Sequence, residues 1–483
     1  MRRVRHDDLP RMCRLMTVLL LNRAIMVYDQ ATMIVRNAQL ALPNADSPVS
    51  GDLRIKDGLI REIGSALSGQ DEILDAEGLL VLPGAIDPHV HFFDPGYNHK
   101  EDFYHGTAAS ASGGVTTVID MPDTSDPAAI DAASIRAKRD HVSARAVIDF
   151  GFFGGISGLL CDDRLEQRIA EMAPEVCGIK TYETSGAAHF PRVSHYQYWR
   201  ILELTRKHNC IVLVHAEDFD YVNGATPDAR AGGDGGMQFY RSRPEIAETL
   251  SVFSVSEIAE QLGAQMHIVH LGTARAAEIV AGRRFSSGET CPQYLEFDCN
   301  DFERIGAALK ITPPVKGPQN KAALWRLLAE GAIDFVASDH APGTAEEKST
   351  GSIWTDYAGI PGGPILFPYV FSEGYLTGRF GLKRLLQVCS QAAAERYRIA
   401  DRKGSITVGK DADLVFVDPD GTTLIRGADS LSKGKVTPYE GRTLRGRVIR
   451  TMLRGNTVYH ADHGILSEPG SGAFVRPNLD ASQ

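Results

Sequence analysis

The chain has 483 residues, 43% hydrophobic and 23% charged, a composition that suits a folded protein with a large core. A net charge of −10 argues against a nucleic-acid partner held through a basic surface. Seven scattered cysteines, none in a Cys-x-x-Cys pair, argue against a disulfide framework or a thiolate zinc site and suit the reducing cytoplasm.

In residues 1–32, Arg2, Arg3 and Arg5 precede a patchy apolar stretch broken by Asn22 and Arg23. It lacks the clean apolar core of a signal peptide and the length of a membrane span, so it reads as an extension or a start-site artefact, with no membrane partner. Short β-like runs at 33–42, 51–55, 59–63 and 72–75, separated by Pro, Gly, Asp and Asn turns, predict several antiparallel strands. Eight buried strand candidates follow, at 80–86, 115–121, 146–153, 176–182, 210–215, 265–271, 285–291 and 333–338. Helical segments lie between most of them, such as 130–142, 163–173, 196–208, 245–262 and 319–329. Strands alternating with helices predict parallel βαβ units, and eight of them predict an α/β fold, a (β/α)8 TIM barrel over 83–403. Strand-like runs return at 405–409, 412–417, 448–454 and 456–459. A β segment on each side of a barrel predicts a composite β-sandwich built from 33–82 and 404–468. Residues 469–483, rich in Gly, Ser, Pro and Asp, predict a mobile or partner-hugging tail.

The chemistry concentrates at strand ends. In Asp87-Pro88-His89-Val90-His91 the two histidines are two apart, so on a strand both imidazoles project to one face. Neutral imidazoles offer lone pairs to a divalent metal without a charge to desolvate. An isolated pair of this kind is a weak signal, and two polar loop residues are its bland reading. Later strands strengthen it: the fourth ends with Lys180, the fifth with His215, the sixth carries His267 and His270, and the eighth ends with Asp339. Alone, Lys180 reads as a surface amine and His267 as a satisfied core or supporting histidine. Together at one barrel face these groups would cost several kcal/mol if buried unpaired, which favours a metal centre.

Together the motifs Pro83-Gly84-Ala85-Ile86-Asp87-Pro88-His89-Val90-His91, Gly178-Ile179-Lys180, Val214-His215-Ala216-Glu217-Asp218, His267-Ile268-Val269-His270 and Ser338-Asp339-His340 resemble the amidohydrolase superfamily. The branch they resemble is that of the cyclic amidases: allantoinases, hydantoinases (dihydropyrimidinases) and dihydroorotases. The resemblance runs from Met33 to about Tyr459 and includes Gly288-Glu289-Thr290-Cys291-Pro292-Gln293-Tyr294-Leu295. It implies a binuclear site in which His89, His91 and Asp339 bind one metal and His215 and His270 the other. Lys180, carboxylated by carbon dioxide to a carbamate, would bridge the two. A carbamate can ligate a cation where an ammonium cannot. Zinc suits these imidazole and oxygen ligands best, with manganese or iron as alternatives. The implied reaction is attack of a hydroxide held between the metals on a cyclic amide carbonyl, with Asp339 as catalytic proton shuttle. Homotetramers are common among such relatives, so a homodimer or homotetramer is expected.

Departures from the family patterns bear on the substrate. Dihydroorotases of this type hold a carboxylate with an Arg, an Asn and a His, where this chain has Phe93, Asp123 and Gly343. An apolar ring, an added carboxylate and a missing donor all disfavour an anionic ring, unless Lys100 substitutes. Hydantoinases place a carbonyl-polarising Tyr five residues after the lysine, where this chain has Ser185, so Tyr182 or Ser185 is the candidate for that role. The expected substrate is a neutral cyclic ureide or imide, with Phe93, Asp123, Tyr182, Ser185 and Gly343 around it. The alternatives are a dihydroorotase, a catalytically dead oligomeric scaffold, which the full ligand set opposes, and a deaminase or exocyclic-amide hydrolase, which the lysine opposes.

Overall fold

The computed structural model describes residues 32–480, so the extension expected over 1–32 lies, but for Thr32, outside the described residues. Strands β1 (Met33–Leu40), β2 (Val49–Lys56) and β3 (Leu59–Gly64) form an antiparallel meander. The next two, β4 (Glu72–Asp75) and β5 (Leu80–Pro83), run parallel to β1 rather than antiparallel as expected. The reason is the loop 65–71, which carries the chain back to the start of β1, where the Glu72 N–H donates to the Thr32 carbonyl at 2.9 Å.

Residues 80–86, expected as one strand, divide at Gly84. Leu80–Pro83 stays in the terminal sheet, and a new strand, β6 (Ala85–Val90), begins the barrel. A Cβ on residue 84 would lie 2.1 Å from the Thr116 Oγ1, so only glycine lets the chain pass this close to the neighbouring strand. From there β6, β7 (Val115–Asp120), β8 (Asp149–Phe152), β9 (Gly154–Gly155), β10 (Ile179–Tyr182), β11 (Val212–His215), β12 (Met266–Ile268), β13 (Ser286–Thr290) and β14 (Phe335–Val336) follow in order. Each ladder between neighbours is parallel. β8 and β9 are two halves of one strand, interrupted at Phe153, whose N–H bonds the Asp120 carbonyl at 3.0 Å. At the other junction Val90 bridges His340 in parallel, so the eight strand positions complete the (β/α)8 ring. Ile86, Ile119, Phe153, Leu213, Val269 and Phe335 fill its interior, which is a packed core rather than a pore.

The chain then returns to the sheet with β15 (Leu414–Leu424), β16 (Thr443–Leu453), β17 (Asn456–His460) and β18 (Gly464–Ile465). β5 pairs with β1 on one side and β15 on the other, so both chain ends share one nine-stranded sheet. Val35, Leu53 and Ile60 bury against Leu414, Phe416 and Met452 to make its core. Residues 405–409, expected as a strand, form turns instead, because Gly404 (φ 89°) and Gly409 (φ 94°) bracket the run in left-handed conformations. Residues 470–478 are likewise not a free tail. The Val475 N–H donates to the Phe150 carbonyl at 2.7 Å, and Val475, 4% exposed, joins the cluster that fills the barrel. No helix among the described residues is long and apolar enough to cross a membrane.

Sheet and barrel are locked through charge. The buried Lys403 ammonium lies 2.5 Å from Asp149 on β8, 2.6 Å from Asp413 and 2.9 Å from Asp411, and Arg454 also pairs with Asp149. Removing a partner from a buried ion cluster costs about 3–5 kcal/mol, because the remaining charges stay desolvated. Lys403→Met is therefore expected to lower the unfolding free energy by about that amount in denaturant titration. A loss below about 1 kcal/mol would show that the three carboxylates do not depend on this cation.

Candidate functional site

At the C-terminal rim of the strands, a cavity of about 290 Å³ is lined by His89, His91, Asp123, Lys180, Tyr182, Ser185, His215, Arg243, His270, Asp339 and Tyr357, among others. His89 and His91 present adjacent rings, 5.4 Å between centroids, as the two-residue strand period requires. Asp339 Oδ1 sits 3.2 Å from the His89 Nε2 and 3.4 Å from the His91 Nε2. The three residues offer ligand atoms that all lie within 4.8 Å of one another. On the opposite wall His215 Nδ1 and His270 Nε2 are 2.9 Å apart, and the His270 ring is 5.4 Å from that of His89.

Lys180 is fully buried between these groups and makes no ion pair within 4 Å among the described residues. Burial pushes its amine down to about 8, partly offset by Asp123, Asp339 and Glu289. An amine held near neutrality is nucleophilic enough to take up carbon dioxide. Burial also holds His89 and His270 well below the usual imidazole range, so both are neutral lone-pair donors. His89 Nε2 is buried without a hydrogen-bond partner. An imidazole nitrogen without a hydrogen-bond partner, aimed at a carboxylate, is a donor set that fits a divalent cation.

Backbone strain gathers at the same rim. Phe93 (φ 58°), His270 (φ 42°) and Asp339 (φ 51°) all adopt left-handed conformations without being glycine. Such residues typically cost about 1–3 kcal/mol each and persist where the surroundings dictate their direction.

Supporting contacts fix the imidazoles. Glu289 on β13 bonds His89 Nδ1 at 2.5 Å and His267 Nε2 at 3.2 Å, and His267 Nδ1 meets the Ser287 hydroxyl at 2.7 Å. His267 is thus a supporting residue outside the cavity. Glu217 bonds His215 Nε2 at 2.9 Å and the Arg243 guanidinium at 2.5 Å. Against the burial penalty, Arg243 foremost and then His215 hold the Glu217 carboxyl down at about 2. Such outer partners set the tautomer and aim of a ligating histidine. His340 turns away, toward Glu101 at 3.3 Å.

The residues expected around a substrate divide. Asp123, Tyr182 and Ser185 line the cavity. The Ser185 hydroxyl, however, donates to the Phe190 carbonyl at 2.7 Å, which commits it to its own loop. Phe93 and Gly343 are not among the residues that line the cavity. Both stand behind Tyr357. The Phe93 ring meets it edge-on at 6.3 Å, and a Cβ on residue 343 would come within 2.6 Å of the Tyr357 Cδ1. Lys100 does not reach in either, since its ammonium lies 3.9 Å over the outer face of Tyr357 and pairs with Glu347 at 2.8 Å. Arg243 and Tyr357 were not singled out from the sequence because no local pattern marks them. Both enter from loops distant in the chain.

Residues 80–458 match the profile of the amidohydrolase family. The allantoinase of Rubrobacter xylanophilus is 36% identical over 440 residues, covering 89% of this chain and 95% of that protein. The allantoinase of Solibacter usitatus is 33% identical over 457 residues, covering 92% and 97%. Among solved structures, the L-hydantoinase (dihydropyrimidinase) from Arthrobacter aurescens superposes with a TM-score of 0.87 at 27% identity, over 92% of this chain and all of that one. The dihydropyrimidinase from Brevibacillus agri gives 0.86 at 27% identity, over 94% and 100%.

Proposed function

The chain belongs to the amidohydrolase family, and from that premise we propose that it is a cyclic amidohydrolase opening the C–N bond of a neutral ureide or imide ring. The observation that carries this reading is the convergence of four imidazoles, the buried Lys180 and Asp339 on one cavity. The donor set fits two divalent cations, which we take to be zinc. His89, His91 and Asp339 would hold one, His215 and His270 the other, with Lys180 as a carbamate shared between them. When bound, the cations supply a Lewis acid for the ring carbonyl and a lower pKa for the attacking water. The carbamate forms when the Lys180 Nζ lone pair attacks carbon dioxide and a proton leaves the nitrogen. Asp339 acts as base and then acid. Its Oδ1 faces the two histidines, and Oδ2 takes the proton from the attacking water and returns it to the departing ring nitrogen. Tyr182, beside His215 with ring centroids 5.3 Å apart, is the hydroxyl available to the carbonyl oxygen.

A neutral ring is supported by the charges nearest the cavity. Arg243 is paired with Glu217, Lys100 is paired outside Tyr357, and Asp123 adds a carboxylate. The test is ring opening of hydantoin, allantoin, dihydrouracil, succinimide and dihydroorotate under one zinc or manganese condition. Each missing charge-assisted contact is worth about 1.5–3 kcal/mol, so dihydroorotate should fall at least about a hundredfold below the best neutral ring in kcat/KM. Dihydroorotate as the best of the five would replace this reading with a dihydroorotase.

A further inference from the structure

Among the described residues the Asp339 carboxylate forms ion pairs only with the Nε2 edges of His89 and His91. Its aim is set by its backbone, which stands in the left-handed region at φ 51°. The next residue, His340, anchors that turn. Its carbonyl accepts from the His91 N–H at 2.7 Å, and its N–H donates to the His89 carbonyl at 3.3 Å. The backbone after Asp339 is thereby laced to the strand that carries both histidines. The His340 imidazole is fully buried behind the rim, edge-on to Phe92. The Gly363 N–H donates to its Nδ1 at 3.0 Å, which places the ring proton on Nε2, and Nε2 donates to Glu101 at 3.3 Å. Glu101 is fully buried as well. Besides His340 it accepts from the Asp102 N–H at 3.1 Å, the Lys433 N–H at 3.3 Å and the Ser432 hydroxyl. Ser432 and Lys433 belong to the excursion that the terminal sheet makes between β15 and β16. Lys433 is itself pinned, its ammonium 2.6 Å from the Asp102 carboxylate and 2.6 Å from the Asn98 carbonyl. Four donors converging on one buried carboxylate fix its direction.

We propose that Glu101 is a positioning residue: held by the Ser432–Lys433 segment, it fixes His340 and, through His340, the direction of the Asp339 carboxylate. This rests on the reading of Asp339 as the proton shuttle of a cyclic amidohydrolase. It gives the excursion between β15 and β16 a part in turnover, although no residue of that segment lines the cavity. Glutamine at position 101 would keep the size of the side chain but offer one acceptor oxygen where the carboxylate offers two. Its NH2 group would also meet other donors, so the four contacts could not all be kept.

The test is a double-substitution cycle between Glu101→Gln and Asp339→Asn in the zinc-loaded enzyme, using whichever of the five rings it opens fastest. With Asp339 intact, Glu101→Gln should lower kcat by on the order of 10- to 100-fold, with KM and bound metal little changed. In the Asp339→Asn background the same substitution should cost no more than about twofold, because the group it aims no longer carries a proton. Ser432→Ala removes one donor from the same carboxylate and runs a milder cycle, which reports the coupling even where Glu101→Gln does not fold. Its kcat should fall several-fold, the span of about one hydrogen bond, again only with Asp339 intact. Equal losses in both backgrounds overturn the proposal in favour of a general structural role, and so does an unchanged kcat in either variant. The hydrolase reading stands in both cases. Loss of metal, with kcat restored by added zinc, overturns it in favour of a role in the metal centre. A wild-type enzyme that opens none of the rings overturns both readings.

Discussion

Lys180→Ala is expected to remove both metal and turnover. Lys180 lines the cavity together with the His89–His91–Asp339 group and the His215–His270 pair, and alanine offers no nitrogen there to become an anion. Loss of an outer partner of a metal ligand typically costs 10- to 100-fold in affinity or activity, and loss of a shared ligand should exceed that range. Short carboxylic acids such as acetate or propionate fit the vacated volume and carry the missing negative charge, so they should restore a fraction of the activity. Full metal content with normal turnover in the alanine variant would rule out Lys180 as a ligand.

Asp339→Asn should behave differently. Asparagine keeps an oxygen toward His89 and His91, so most of the metal should remain, but the amide cannot take up and return a proton. The loss of kcat should lie in the range of roughly 10²–10⁴-fold for a positioned acid–base group. Because the proton transfer occurs in the transition state, kcat and kcat/KM should fall together while binding of the intact ring changes little. A variant retaining more than about a tenth of wild-type kcat would mean that another group moves the proton.

How far these roles were legible in the sequence depended on whether the physics is local. His89 and His91 announce themselves because a strand's period is two, and Lys180, His215 and Asp339 because each ends an apolar run of strand length. Gly84 was hidden. The apolar stretch from Leu80 to Ile86 reads as one strand, and only the 2.1 Å approach of Thr116 explains why it changes sheets. Glu289 sits in a motif that was visible, yet its hold on His89 spans two hundred residues of chain and no spacing rule reaches that far. The substitutions at Phe93 and Gly343 were visible as departures, but their consequence lay in Tyr357, the ring that both of them back. The order of residues 470–478 came from Val475 burying in the cluster that fills the barrel, against a composition that reads as free chain.

The most direct measurement is metal stoichiometry taken together with hydantoin turnover, as zinc is titrated into metal-free protein in bicarbonate buffer. Two equivalents bound per chain are expected, with ring opening rising as the second site fills and a carbamate ¹³C signal on Lys180 when the bicarbonate is labelled. Full turnover at zero or one equivalent, or a fully loaded protein that leaves every neutral ring closed, would contradict the two-cation cyclic amidohydrolase.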